Sequence, residues 1–147
     1  MKTIISTNPG KGYEKLGEVT ASTEEEIISA VKLANKATLT WSKLSLEERK
    51  SHLLRLYKAF ENQSEKIQQT VSNEVGKTLK DAKFRFEKGM ELFSWYLENS
   101  NKALLPEKTH EDKSSIHKIY YEPYGVTAVI APWNLSLIHI SEPTRPY

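Results

Sequence analysis

Three consecutive residues near the end of the chain, Pro132-Trp133-Asn134, carry the side-chain types of a small-molecule site. They follow Val126-Thr127-Ala128-Val129-Ile130, a short apolar run rich in β-branched residues. Such a run suits a strand buried on both faces, as in a parallel sheet. Ala131-Pro132 ends it, because proline cannot donate to the sheet ladder. Open α/β sheets bind ligands just beyond the carboxyl ends of their strands. Asn134 offers a neutral amide donor of the kind that holds a developing oxyanion, and Trp133 is placed to wall off a cofactor. A strand-ending turn with a buried indole accounts for the same three residues, so the motif alone does not decide.

Few other residues compete for a chemical role. His52, His110, His117 and His139 are scattered without metal-ligand spacing, so no metal is expected. The 147 residues include no cysteine, which excludes disulfides, thiolate-bound metals and a cysteine nucleophile within the chain. Gly76-Lys77 lacks the earlier glycine and the preceding strand of a phosphate loop, and a helix C-cap explains it better. The aromatic residues Phe84, Phe86, Phe93, Trp95 and Tyr96 read as packing. With 21 basic and 19 acidic residues interspersed along the chain, a nucleic-acid partner is not expected. No apolar run approaches the roughly 20 residues of a membrane span. No signal-peptide core precedes Asn8-Pro9-Gly10, so a cytoplasmic location is expected.

The elements that must position the site read as a small β opening, four helices, then strands. Thr3-Ile4-Ile5 and Lys15 to Thr20 flank the Asn8-Pro9-Gly10 turn as a hairpin. Ser22-x-x-Glu25 and Thr23-x-x-Glu26 are alternative capping boxes for a first helix. Its face carries Ile27, Ala30, Val31, Ala34 and Ala37, with Trp41 as an anchor, and the small alanines predict close packing against another element. Ser45-x-x-Glu48 caps a second helix bearing Leu53, Leu54, Leu56, Tyr57 and Phe60. A break near Asn62 to Ser64 separates it from a third helix that ends at Gly76. Thr78-x-x-Asp81 opens the fourth, which carries Phe84, Phe93, Tyr96 and Leu97 and is weakened at Gly89. Pro106 ends the helices, Glu107 to Ser115 reads as a polar loop, and Ile116 to Glu122 has strand composition.

Glu122-Pro123-Tyr124-Gly125-Val126, then Val129-Ile130-Ala131-Pro132-Trp133-Asn134, resembles the aldehyde dehydrogenase superfamily pattern E-P-x-G-V followed by I-x-P-W-N. Asn8-Pro9 with Gly17-Glu18-Val19 resembles the family's opening segment. Trp41-Ser42 with Glu48-Arg49 and Leu53-Leu54, and Glu74-Val75-Gly76-Lys77, resemble two further family segments. Order and spacing agree from about Asn8 to Asn134. Trp95-Tyr96-x-Glu98-Asn99 and Tyr121-Glu122-Pro123 are similar to succinate-semialdehyde-type members.

The resemblance implies an α/β fold. The chain would hold the N-terminal helices, part of the oligomerisation strands (roughly Ile116 to Glu122) and the first buried strand of a Rossmann-like cofactor domain, and would be incomplete. It implies oxidation of an aldehyde to a carboxylate with NAD or NADP, by way of a cysteine thiohemiacetal, in a homodimer or homotetramer. Asn134 matches the oxyanion donor, and Ile130, Ala131, Pro132 and Trp133 match positions beside the cofactor. The family's cysteine, glutamate base, ribose-binding lysine and glycine-rich loop lie beyond Asn134 and are not in this sequence. A covalent mechanism without its nucleophile does not run, so the chain by itself is expected to be inactive. Its uncovered Val126–Ile130 strand is expected to cause aggregation. A catalytically dead helical interaction module derived from such an enzyme is the alternative. A non-oxidising relative, a reductase or an acylating enzyme, is a third reading.

The family continues P-W-N-F-P, whereas here Asn134 is followed by Leu-Ser-Leu-Ile-His-Ile-Ser-Glu-Pro-Thr-Arg. That string, Leu135 to Arg145, resembles the conceptual translation of a transposase sequencing adapter. The expected division is therefore 1–134 as the N-terminal part of the dehydrogenase domain and 135–147 as a non-native tail.

Overall fold

A computed structural model describes residues 2–130. Strand β1 (Thr3–Asn8) pairs antiparallel with β2 (Glu14–Thr20), with a register shift between Ser6 and Thr7. Both strands exceed the expected lengths, because pairing continues to Asn8↔Glu14 at the turn. One turn of 3-10 helix, Pro9–Lys11, joins them, with proline pre-set for its first position. The Asn8 side-chain oxygen accepts from the Gly10 amide at 2.9 Å, and the Asn8 carbonyl accepts from the Tyr13 amide at 2.8 Å. These bonds satisfy the side-chain oxygen and the backbone carbonyl of a residue that is buried.

Four helices follow: α1 (Glu24–Trp41), α2 (Leu46–Asn62), α3 (Ser64–Val75) and α4 (Leu79–Leu104). Of the two boxes offered for α1, the chain uses Thr23 and Glu26, each side chain bonded to the other residue's backbone amide. Ser45 and Glu48 do the same for α2, and Thr78 caps α4 by accepting from the Asp81 amide at 3.1 Å. The break between α2 and α3 falls at Gln63. Helix α3 ends at Gly76, whose φ of 73° is the left-handed conformation that glycine adopts without a Cβ penalty.

The interior is small. Helix α4 lies against α2 and α3, and α3 against β1. Ala82, Phe86 and Leu97, all on α4, are the buried apolar residues among those described. Tyr57 of α2 meets Phe93 of α4 edge to face, with ring centroids 5.6 Å apart.

Two sequence expectations are corrected. The segment read as a polar loop contains β3 (Glu107–Glu111), which pairs antiparallel with β4 (Ile116–Ile119). Asp112 closes their turn: one carboxylate oxygen accepts from the amides and hydroxyls of Ser114 and Ser115. Polar residues suit this strand because both of its faces are exposed. Val126–Ile130 is not a strand: residues 121–130 have no regular structure, and Val126, Val129 and Ile130 are exposed. A parallel strand needs hydrogen-bonded neighbours, and neither two-stranded sheet includes this run.

Candidate functional site

The segments that carry the sequence patterns lie far apart in the chain, and the fold brings two of them together. Glu74 of α3 accepts a hydrogen bond from the Ser6 hydroxyl of β1 at 2.6 Å. Beside it, the Pro9 ring packs onto Gly76 so closely that a Cβ at Gly76 would stand 2.8 Å from Pro9 Cγ. The Asn-Pro-Gly turn and the Glu74–Lys77 segment are therefore halves of one joint. Ser72 completes it by donating to the Lys77 carbonyl at 2.8 Å.

A second joint forms where α1 meets α2. Arg49 donates to the Ser42 carbonyl at 3.1 Å, satisfying an orphan acceptor at the end of α1. The Trp41 and His52 rings stand 5.7 Å apart between centroids, and Thr38 lies one turn earlier on α1. Onto this corner comes Gly125 with φ 95°, a conformation that L side chains rarely adopt, and a Cβ added there would reach 4.0 Å from Thr38 Cγ2. Gly125 and Val126 thus seat the start of the apolar run against α1. A recess of about 560 Å³ opens here, lined in part by Ala34, Thr38, Trp41, His52, Gly125 and Val126.

From this seat the run leads outward. Ile130 is 96 % exposed at the end of the described residues. Ala131, Pro132, Trp133 and Asn134 lie outside them. Of the five residues singled out by sequence, the structure therefore places Ile130 alone. What it adds is the platform behind the run. Thr38 and His52 were not singled out for that platform. His52 lies within α2, and nothing in its local sequence signals the contact.

The carboxylates with displaced pKa values all lie in caps and turns. Glu25 is lowered by a backbone amide and by the Thr23 hydroxyl, and Glu48 by the backbone and side chain of Ser45. Asp112 is held well below the usual carboxylate range, first by His110, whose Nε2 lies 3.0 Å away, and then by Ser114 and Ser115. Hydrogen bonds to the ionised form cause each shift. No carboxylate among these lines the recess. No group of three residues among those described could hold a metal ion, and no described helix is long and apolar enough to cross a membrane.

The description "Aldehyde dehydrogenase family" attaches to a family model that matches residues 1–146. The chain belongs to the aldehyde dehydrogenase family. It is 32% identical over 127 residues to the α-ketoglutaric semialdehyde dehydrogenase of Bacillus subtilis strain 168, covering 86% of this chain and 26% of that one. It is 29% identical over 143 residues to the NAD(P)+ succinate semialdehyde dehydrogenase Sad of Escherichia coli K12, covering 97% of this chain and 30% of that one. The fold superposes on the P. syringae indole-3-acetaldehyde dehydrogenase AldA, solved as a mutant with NAD+, with TM-score 0.84 and 26% identity over 95% of this chain and 28% of that one. The Streptococcus pyogenes succinic semialdehyde dehydrogenase, solved with NADP+, matches in fold with TM-score 0.81 at 20% identity, over 93% of this chain and 30% of that one. This aldehyde dehydrogenase chain thus spans less than a third of the length of these relatives.

Proposed function

We propose that the chain is the leading part of a cytoplasmic NAD(P)-dependent aldehyde dehydrogenase that oxidises a small semialdehyde to its carboxylate. The observation that carries the reading is the family match across residues 1–146. The substrate class follows from relatives named for α-ketoglutaric, succinate and glutarate semialdehydes.

The cofactor would lie against Ile130, Ala131, Pro132 and Trp133. That placement follows from the family pattern I-x-P-W-N, which Ile130 to Asn134 match. When bound, the cofactor supplies the hydride acceptor. Asn134 donates its side-chain amide to the oxygen that gains charge as the aldehyde carbon is attacked. Gly125 and Val126, seated on Thr38, fix the start of the run that carries these residues. The exposed edges of the β3–β4 hairpin are the surface through which the complete enzyme would form a dimer or tetramer. Residues 135–147 are proposed as a non-native tail. The exposed apolar faces of the helices favour one second reading, an inactive module that pairs with a full-length subunit.

The test is a chimera in which residues 1–134 replace the aligned part of the E. coli semialdehyde dehydrogenase. Reduction of NAD+ or NADP+ on adding succinate semialdehyde is expected. Asn134→Ala is expected to lower kcat by about 100- to 1000-fold, the usual loss on removing one oxyanion donor, with thermal unfolding unchanged. A folded chimera whose activity is indifferent to Asn134→Ala would refute the assignment.

A further inference from the structure

Two histidines that are separated in the sequence meet on the β3–β4 hairpin. The register shifts between Lys108 and His110, so that His110 pairs with His117 and Glu111 with Ile116. Without the shift, the Lys108↔Lys118 pairing would run on to set Thr109 opposite His117 and His110 opposite Ile116. Thr109 is the extra residue of this bulge, and bulges of this kind re-aim a side chain. The two imidazole centroids stand 5.1 Å apart, with the ring planes tilted by 51°. Both residues are exposed, so an ion reaches them from solvent without any opening of the fold.

One of the two rings is also oriented. His110 Nε2 lies 3.0 Å from Asp112 Oδ2. A carboxylate only accepts, so Nε2 donates, and in the neutral ring Nδ1 carries the lone pair. A carboxylate behind an imidazole is the arrangement that fixes a metal-ligating histidine and raises its basicity. Asp112 is itself held, because its other oxygen accepts from the Ser114 and Ser115 amides at 2.7 and 2.8 Å.

We propose that His110 and His117 form a chelating site for a late divalent transition-metal ion of the zinc, nickel or copper class. The spacing fits. Imidazoles bound to one tetrahedral ion through bonds of about 2.0–2.1 Å have ring centres about 5 Å apart. Imidazole nitrogen suits these ions, whereas magnesium and calcium take oxygen ligands. No third histidine or carboxylate joins the pair as a ligand among the described residues, so water completes the coordination and the site stays open. Lys108 is paired with Glu111, and Lys118 falls on the strand face opposite to His117 by the two-residue period. The bound ion ties β3 to β4 through their side chains and stiffens the hairpin.

The test titrates zinc chloride into the full chain at neutral pH, in competition with a zinc-binding dye, with circular dichroism to show that each variant is folded. One zinc per chain is expected, with the same affinity in His139→Ala, a histidine outside the hairpin. His110→Ala and His117→Ala are each expected to weaken binding at least about tenfold, the low end of what losing even a ligand's supporting partner costs. The double variant should bind no more weakly than the singles, because either loss breaks the chelate. Zinc should also slow amide exchange of β3 and β4 in the parent chain but not in His117→Ala, and magnesium chloride should leave both unchanged. No zinc bound, affinity unchanged in both single variants, losses that add in the double variant, or loss with His139→Ala overturns the site. One zinc per two chains with a doubled elution mass makes the ion a bridge between copies and overturns the chelate within one hairpin.

Discussion

Gly76→Ala tests the joint between the first hairpin and α3. Two costs act at this position. The backbone sits at φ 73° and ψ 25°, in the left-handed region, where an L side chain costs about 1–2 kcal/mol. The new methyl would also stand 2.8 Å from Pro9 Cγ and 3.6 Å from the Gly10 nitrogen, and overpacking of this kind typically adds about 1–3 kcal/mol. Gly12 separates the two costs. Its φ is 62° but nothing lies within 4 Å of its added Cβ, so Gly12→Ala carries the conformational cost alone. Gly76→Ala should therefore destabilise by at least about 1 kcal/mol more than Gly12→Ala. In a Pro9→Ala background the excess should shrink, because the clashing atom is gone. The assay is urea unfolding followed by far-ultraviolet circular dichroism at low micromolar chain. Hydrogen exchange of the amides around Gly10 and Gly76 serves for variants too weak to show a full transition. Equal losses for Gly76→Ala and Gly12→Ala, within about 0.5 kcal/mol, or additivity with Pro9→Ala, would refute the packed joint.

Thr78→Ala removes the side-chain acceptor for the Asp81 amide and should cost about 1 kcal/mol in the same unfolding assay; an unchanged midpoint would show that the cap contributes nothing. The acid side offers a further check. Asp112 is lowered in the folded chain, so the stability it contributes is present above its ordinary value near 3.9 and is lost as pH falls toward its folded value. Exchange of the β3–β4 amides, corrected for intrinsic rate, should rise as pH drops below about 4, and Asp112→Asn should abolish that dependence. A hairpin equally protected at both ends of that range would contradict the role of the turn. Gly125→Ala strains a φ of 95° beside Thr38; it should lift Gly125 and Val126 off the Trp41 corner and change the tryptophan emission while the helices keep their circular dichroism, and an unchanged emission would contradict the seat.

Local devices were legible in the sequence. Thr23 with Glu26, Ser45 with Glu48, and Thr78 before Asp81 are caps that a few neighbouring residues specify, and each forms as read. Gly76 is legible as a C-cap for the same reason, and Asn62 to Ser64 as a break. What pairs over distance was not legible. Glu107–Glu111 lacks the composition of a buried strand and becomes one only because Asp112, Ser114 and Ser115 fold the chain back onto Ile116–Ile119. Pro9 and Gly76 announce turns separately, and only the fold shows that they touch. Val126–Ile130 has every local mark of a buried strand, yet strand formation depends on neighbours, and here it lies unpaired. The motif marks Ile130 to Asn134 as the candidate site, while the seat beneath the run brings together Thr38 and His52 from helices distant in the sequence.

We propose that this chain leads a working aldehyde dehydrogenase and that its sequence turns foreign after Asn134. Reading the source locus from genomic DNA through codon 134 tests it directly. The frame is expected to continue as Phe-Pro and to go on to a glycine-rich loop, a glutamate and a cysteine. A locus that encodes Leu135 to Tyr147 and then a stop would contradict it.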